Sequence, residues 1–237
     1  MAIPFSPAQL VAAARQYGTP LWCYDAATIQ ARIAQLQAFD VVRYAQKASS
    51  NLHLLRLIRE AGVRVDAVSL GEIERALLAG FSPVDAGIVF TCDLFDEATL
   101  ARVVELQVEV NTGSIDMLRQ LGEKSPGHRV WLRINPGFGH GHSRKTNTGG
   151  ENSKHGIWHD QMSEALAVIR QHGLHLVGLH MHIGSGVDYD HLEQVGAAMV
   201  AAVKSLDHDL EAFSIGGGLS TPYREGDTPV DVQRYAN

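Results

Sequence analysis

The chain has 237 residues, 45% hydrophobic and 19% charged, with a formal net charge of −6. That balance describes a globular domain, and the lack of a basic stripe argues against nucleic acid as a partner. No apolar run reaches the ~20 residues of a membrane-spanning helix, and the opening MAIPFSPAQL reads as neither an export nor a transit signal. The expected compartment is the cytoplasm, with Cys23 and Cys92 as two buried thiols rather than a disulfide.

In chain order, spacing predicts a helix over 7–17, a short strand over 21–24 and a helix over 26–39. The last carries Ile29, Ile33, Leu36 and Phe39 on one face. From Val41 the rhythm is regular. Strands are expected over 41–48, 64–69, 87–92, 108–112, 129–135, 174–182 and 213–216. Helices between them are expected over 51–61, 72–79, 96–106, 160–172 and 192–206, with a short one capped by Ser114. Repeated βα units with buried, β-branched strands imply a parallel sheet with helices outside it.

A doubly wound sheet is the rival. A (β/α)8 TIM-type barrel is preferred because Lys47, Ser69, Arg133, His182 and Gly216-Gly217-Gly218 all fall at C-terminal strand ends, where barrel sites assemble. Only about seven of the eight strands occur before Asn237. The expected fold is therefore an incomplete α/β barrel over 41–237, preceded by a helix, short strand and helix over 1–40.

Several residues could carry chemistry. Lys47, near the end of the first barrel strand, could be a desolvated nucleophile suited to Schiff-base formation, or a surface lysine in a turn. The glycine triplet after Phe213-Ser214-Ile215 could let backbone N–H groups crowd a phosphate, or simply turn the chain. His180 and His182 share a strand face, so they could ligate a metal; equally, one could be a core histidine and the other a rim histidine. His140 and His142 lie in a glycine-rich loop, a poor frame for a metal. Asp66 interrupts a buried run and needs a partner such as Lys47 or a histidine. Arg133 could pair with an anion or carboxylate, or reach solvent.

Together the segments resemble the fold-type III pyridoxal-phosphate enzymes, and specifically the diaminopimelate decarboxylase family. The matching stretches are RYAQKASSN at 43–51, VDAVSLGEIERALLAG at 65–80, VWLRINPGFGHGH at 130–142, TGGENSKHGIW at 148–158, GLHMHIGSGV at 178–187 and SIGGGLS at 214–220. The resemblance implies pyridoxal 5'-phosphate bonded to Lys47, with His182 against the cofactor ring and Ser185 with Gly216, Gly217 and Gly218 on the phosphate. Asp66 and Arg133 would support Lys47, and the loop 137–156 would close over the mouth and exclude water. It implies decarboxylation of a small molecule, meso-2,6-diaminopimelate, to L-lysine by a homodimer, with no metal.

Members of that family continue past the position of Asn237. Their eighth strand carries a Glu-Pro-Gly-Arg motif, and a C-terminal β domain completes the site. The 237-residue chain alone is therefore expected to be inactive. Two further readings are a non-catalytic pyridoxal-phosphate carrier and a metal-dependent barrel hydrolase using His180 and His182.

Overall fold

The computed structural model describes residues 4–140, 147–186, 188–206, 208–222, 226–227 and 230–236. Helices α1 (Pro7–Tyr17) and α2 (Ala26–Ala34) lead into β1 (Arg43–Ala45), α3 (Leu52–Glu60), β2 (Arg64–Ala67) and α4 (Leu70–Leu78). Next come β3 (Ile88–Cys92), α5 (Glu97–Leu106), β4 (Glu109–Thr112), α6 (Ile115–Lys124) and β5 (Arg129–Asn135). A two-residue strand β6 (Ile157–Trp158) precedes α7 (Met162–His172), β7 (His175–Met181), α8 (Tyr189–Ser205), β8 (Ala212–Ser214) and α9 (Val232–Ala236).

All strand pairs are parallel. The order is β1-β2-β3-β4-β5-β7-β8, with β6 attached to the end of β5. A doubly wound sheet would reverse its strand order part-way. Here each principal strand pairs with the next, as in a barrel, and seven of them form an incomplete TIM-type barrel. The core lies between sheet and helices. β4 is buried at all four positions and β3 at four of five, packed with Leu55, Ile73, Leu118, Leu121 and Leu179.

Local chemistry explains where the helices begin. After strands β2, β3, β4 and β7, a side chain accepts from the backbone of the helix that follows: Ser69, Asp96, Ser114 and Asp188 in turn. Glu72 adds a second bond, accepting from the Val68 N–H at 2.8 Å. These caps end each loop abruptly and hold the loops at the C-terminal ends of the strands.

Some expectations need correction. Residues 21–24 pair with no strand, and of the two thiols expected to be buried Cys23 is exposed and Cys92 half-buried. The strand expected over 41–48 is only three residues long and gives way to a single 3-10 turn over Gln46–Ala48. Helix α4 begins two residues before Glu72, because Ser69 supplies the cap. Neither β6 nor α9 was anticipated. Helices α1 and α2 bury no residue, so residues 4–40 lie at the periphery of the packed sheet.

Candidate active site

Period-two alternation puts Asp66 on the face of β2 opposite Val65 and Ala67, the two residues of that strand with 0% exposure. Asp66 is not alone there. The Thr91 hydroxyl donates to Asp66 Oδ1 at 2.5 Å, and Asn111 Nδ2 donates to Thr91 Oγ1 at 3.2 Å. Asn111 Nδ2 also lies 2.7 Å from His180 Nδ1. A chain of hydrogen bonds thus crosses the sheet from β2 through β3 and β4 to β7. The expected partner of Asp66, Lys47 or a histidine, is replaced at hydrogen-bonding distance by Thr91.

The electrostatics follow from this burial. Desolvation raises the Asp66 carboxyl from 3.8 to about 6, opposed by the Thr91 hydrogen bond and by Arg43, Lys47 and Arg133. Desolvation also pushes His180 well below the usual imidazole range, helped by Arg133, His182 and Lys47. His182 falls to about 4 for the same leading reason, with Arg133, Lys47 and His155 adding to it. Both imidazoles are neutral at pH 7, and Asp66 is ionised.

Lys47 is exposed in the turn after β1, and its charge acts on Asp66, His180 and His182 from the mouth of the sheet. Arg133 is 8% exposed on β5, and its Nη1 stands 3.9 Å from Asp93 Oδ1, beyond hydrogen-bonding range. Burial lowers its proton affinity as well.

Asp93, just past β3, binds the loop that follows β5. It meets His155 Nδ1 through Oδ2 and accepts from the Gly156 N–H at 3.4 Å through Oδ1. Farther back in that loop, the His140 and Thr148 N–H groups both donate to the Ile183 carbonyl at 3.1 Å, and the Thr148 hydroxyl donates to the His182 carbonyl. The described parts of the loop therefore dock on the exit of β7. Residues 141–146 of the stretch expected to cover the mouth lie outside the described residues.

Ser185 and the glycine triplet come together. The Gly186 N–H donates to the Gly218 carbonyl at 2.8 Å, and the Gly217 N–H to His182 Nδ1 at 3.4 Å. Two of the three glycines are required by the chain itself. At Gly216 (φ 70°) a Cβ would sit 2.6 Å from the Met181 carbonyl oxygen, and at Gly218 (φ 84°) 2.0 Å from that of Gly184. A Cβ at Gly217 meets nothing within 4 Å, so protein packing does not explain that glycine. The open space at Gly217 leaves room for a ligand such as a phosphate beside Ser185, although the Gly216 and Gly217 N–H groups are at present engaged by Ser214 Oγ at 3.3 Å and His182 Nδ1 at 3.4 Å.

Lys47, Asp66, Arg133, His182, Ser185 and the triplet thus border one mouth. Among the described residues His180 and His182 belong to no group of three metal-ligating side chains; their rings stand 6.5 Å apart and nearly parallel, and Asn111 engages His180 Nδ1. Sequence reasoning missed Thr91, Asn111, Asp93 and His155. Thr91 and Asn111 interrupt buried strands as Asp66 does, so the same test applied to IVFTC and EVNT would have found them.

The geometry has close parallels. Diaminopimelate decarboxylase of Streptomyces coelicolor is 64% identical over 229 residues, covering 96% of this chain and 52% of the relative. A crystal structure of a diaminopimelate decarboxylase superposes with a TM-score of 0.93 at 63% identity, over 96% of this chain and 55% of that one. The Helicobacter pylori enzyme complexed with L-lysine superposes with a TM-score of 0.85 at 28% identity, over 96% and 61%. The chain spans about half the length of the curated relatives it matches. The family model described as pyridoxal-dependent decarboxylase, pyridoxal binding domain, matches residues 26–237, and the chain belongs to that family.

Proposed function

We propose that this chain provides the cofactor-binding part of a diaminopimelate decarboxylase, which takes meso-2,6-diaminopimelate to L-lysine and CO2. The observation that carries the reading is the meeting of Lys47, Asp66, Arg133 and His182 at one mouth, in a chain 64% identical to a decarboxylase of that name. The barrel would occupy 41–237 and the segment 1–40 would lead into it. Cytoplasmic placement and assembly as a homodimer belong to the same proposal.

When bound, the pyridoxal ring supplies an electron sink for the pair left behind as CO2 departs. The chain's own residues have separate tasks. The Lys47 amine would hold the cofactor covalently, and its Nζ could also carry a proton. Ionised Asp66 lies within electrostatic reach of Lys47 and Arg133, and its charge opposes the burial that lowers the proton affinity of Arg133. Neutral His182 presents an uncharged imidazole against which an aromatic ring can stack. Ser185 and the triplet Gly216, Gly217 and Gly218 would hold the phosphate, with the Gly216 and Gly217 N–H groups exchanging Ser214 and His182 for it. The loop tied to Asp93 through His155 limits water access.

The test is CO2 release by the complete protein. With meso-diaminopimelate it should form L-lysine, and Lys47→Ala should lower the rate by several orders of magnitude. Preference for L-ornithine or L-arginine would sink the substrate assignment while leaving the cofactor site intact. Full activity in Lys47→Ala would sink both.

A further inference from the structure

We propose that His140, Asp188 and His191 form a site for a divalent cation of the zinc class at the rim of the mouth. One ligand atom from each lies within 4.8 Å of the other two. The groups come from separate parts of the chain. His140 belongs to the loop after β5, where its own N–H is fixed on the Ile183 carbonyl at 3.1 Å. Asp188 caps α8, and His191 stands in the first turn of that helix.

The arrangement is more than a helix cap. A cap needs only Asp188 accepting from the His191 N–H, a bond of 3.1 Å. Asp188 Oδ1 also meets His191 Nδ1 at 2.5 Å, and the His140 ring lies against His191, tilted by 31°, with centroids 3.7 Å apart. Two imidazoles and a carboxylate are thus gathered where helix capping requires neither ring.

The charge balance selects a cation. An anion would have to approach the Asp188 carboxylate, which lies within 4.8 Å of both imidazoles. Two nitrogen donors and one carboxylate oxygen suit borderline metals such as Zn²⁺ and Co²⁺, with the remaining positions taken by water. The His155–Asp93 contact offers no such site, because Arg133 stands 3.9 Å from the same carboxylate and would repel a cation.

A bound ion would fasten the loop after β5 to the start of α8, three residues beyond Ser185. Loop position and phosphate cradle would then be linked by one metal. The glycine-rich loop that looked like a poor frame for a metal is anchored at His140, and a partner element supplies the other ligands. His142 lies outside the described residues and is not used.

The test is titration of the complete, tag-free protein with Zn²⁺ by calorimetry and with Co²⁺ by absorption spectroscopy. We expect one equivalent per chain, d–d bands of a nitrogen- and oxygen-ligated Co²⁺, and a rise in Tm on adding Zn²⁺. His140→Ala and Asp188→Asn should each weaken binding at least tenfold and abolish the Tm rise, while His208→Ala, a histidine outside the cluster, should change neither. Absence of stoichiometric binding in the unaltered protein would overturn the proposal. So would equal binding in His140→Ala and Asp188→Asn, which would place the metal elsewhere.

Discussion

The two ends of the sheet treat buried charge in opposite ways. At the start of the strands, Glu109 has both carboxylate oxygens occupied, by Arg129 Nε at 2.7 Å and Trp131 Nε1 at 2.9 Å. Arg129 continues to both oxygens of Glu211, which also meets His175 Nε2 at 2.6 Å. At the other end, the nearest carboxylate oxygen to Arg133 among the described residues is 3.9 Å away, and the side-chain oxygens of Asn111 and Gln46 are buried without a partner among those residues. Satisfied networks rigidify a fold, whereas buried polar groups left short of partners are costly. The first end is organised for stability and the second for a ligand, in line with the usual division between the two faces of a barrel.

The sharpest way to break this contrast is to remove one partner at each end. Arg129→Ala leaves the Glu109 carboxylate, 4% exposed, with only an indole N–H. The expected cost is about 3 kcal/mol in urea denaturation. Equal destabilisation by a substitution at the mouth would show that the two ends are not organised differently.

A smaller effect is expected with pH. His180 and His182 are held neutral by burial, so their contribution to stability is complete above about 6.5 and is lost as pH falls below it, for His182 toward about 4. Asp66 acts in the opposite sense. Its raised carboxyl contributes fully below 3.8, and that contribution disappears as pH rises through about 6. In cofactor-free protein, His182→Gln should therefore reduce the loss of stability between pH 6.5 and 5, and Asp66→Asn should increase it. Each change is on the order of 1 kcal/mol. Unchanged pH profiles in both variants would mean that the mouth is more hydrated than its burial indicates.

The smallest stability effect belongs to the residue proposed to bond the cofactor. Lys47 is exposed, so Lys47→Ala should alter unfolding by no more than about 0.5 kcal/mol while removing cofactor attachment. A large stability loss would give Lys47 a structural role instead.

What could be read in the sequence follows the same division. Strand β5 matches the run 129–135, and the caps Asp96 and Ser114 stand where expected, because periodicity and capping are local. The turn at Gln46–Ala48 was read as strand, since its apolar flanks carry no breaker. The polar chain from Asp66 to His180 depends on which strands lie side by side. Thr91 stands opposite Asn111 and Arg133 opposite His180 only once the barrel order is known. The tie between Asp93 and His155 spans 62 residues and leaves no local pattern.

The central claim is that this mouth holds pyridoxal phosphate on Lys47. The most direct test is borohydride reduction of the protein after incubation with the cofactor, followed by peptide mapping and a circular dichroism spectrum of the same sample. The account predicts a single reduced adduct, on Lys47. A folded protein whose label is absent, or spread over Lys124, Lys154 and Lys204 with none favoured, would contradict it.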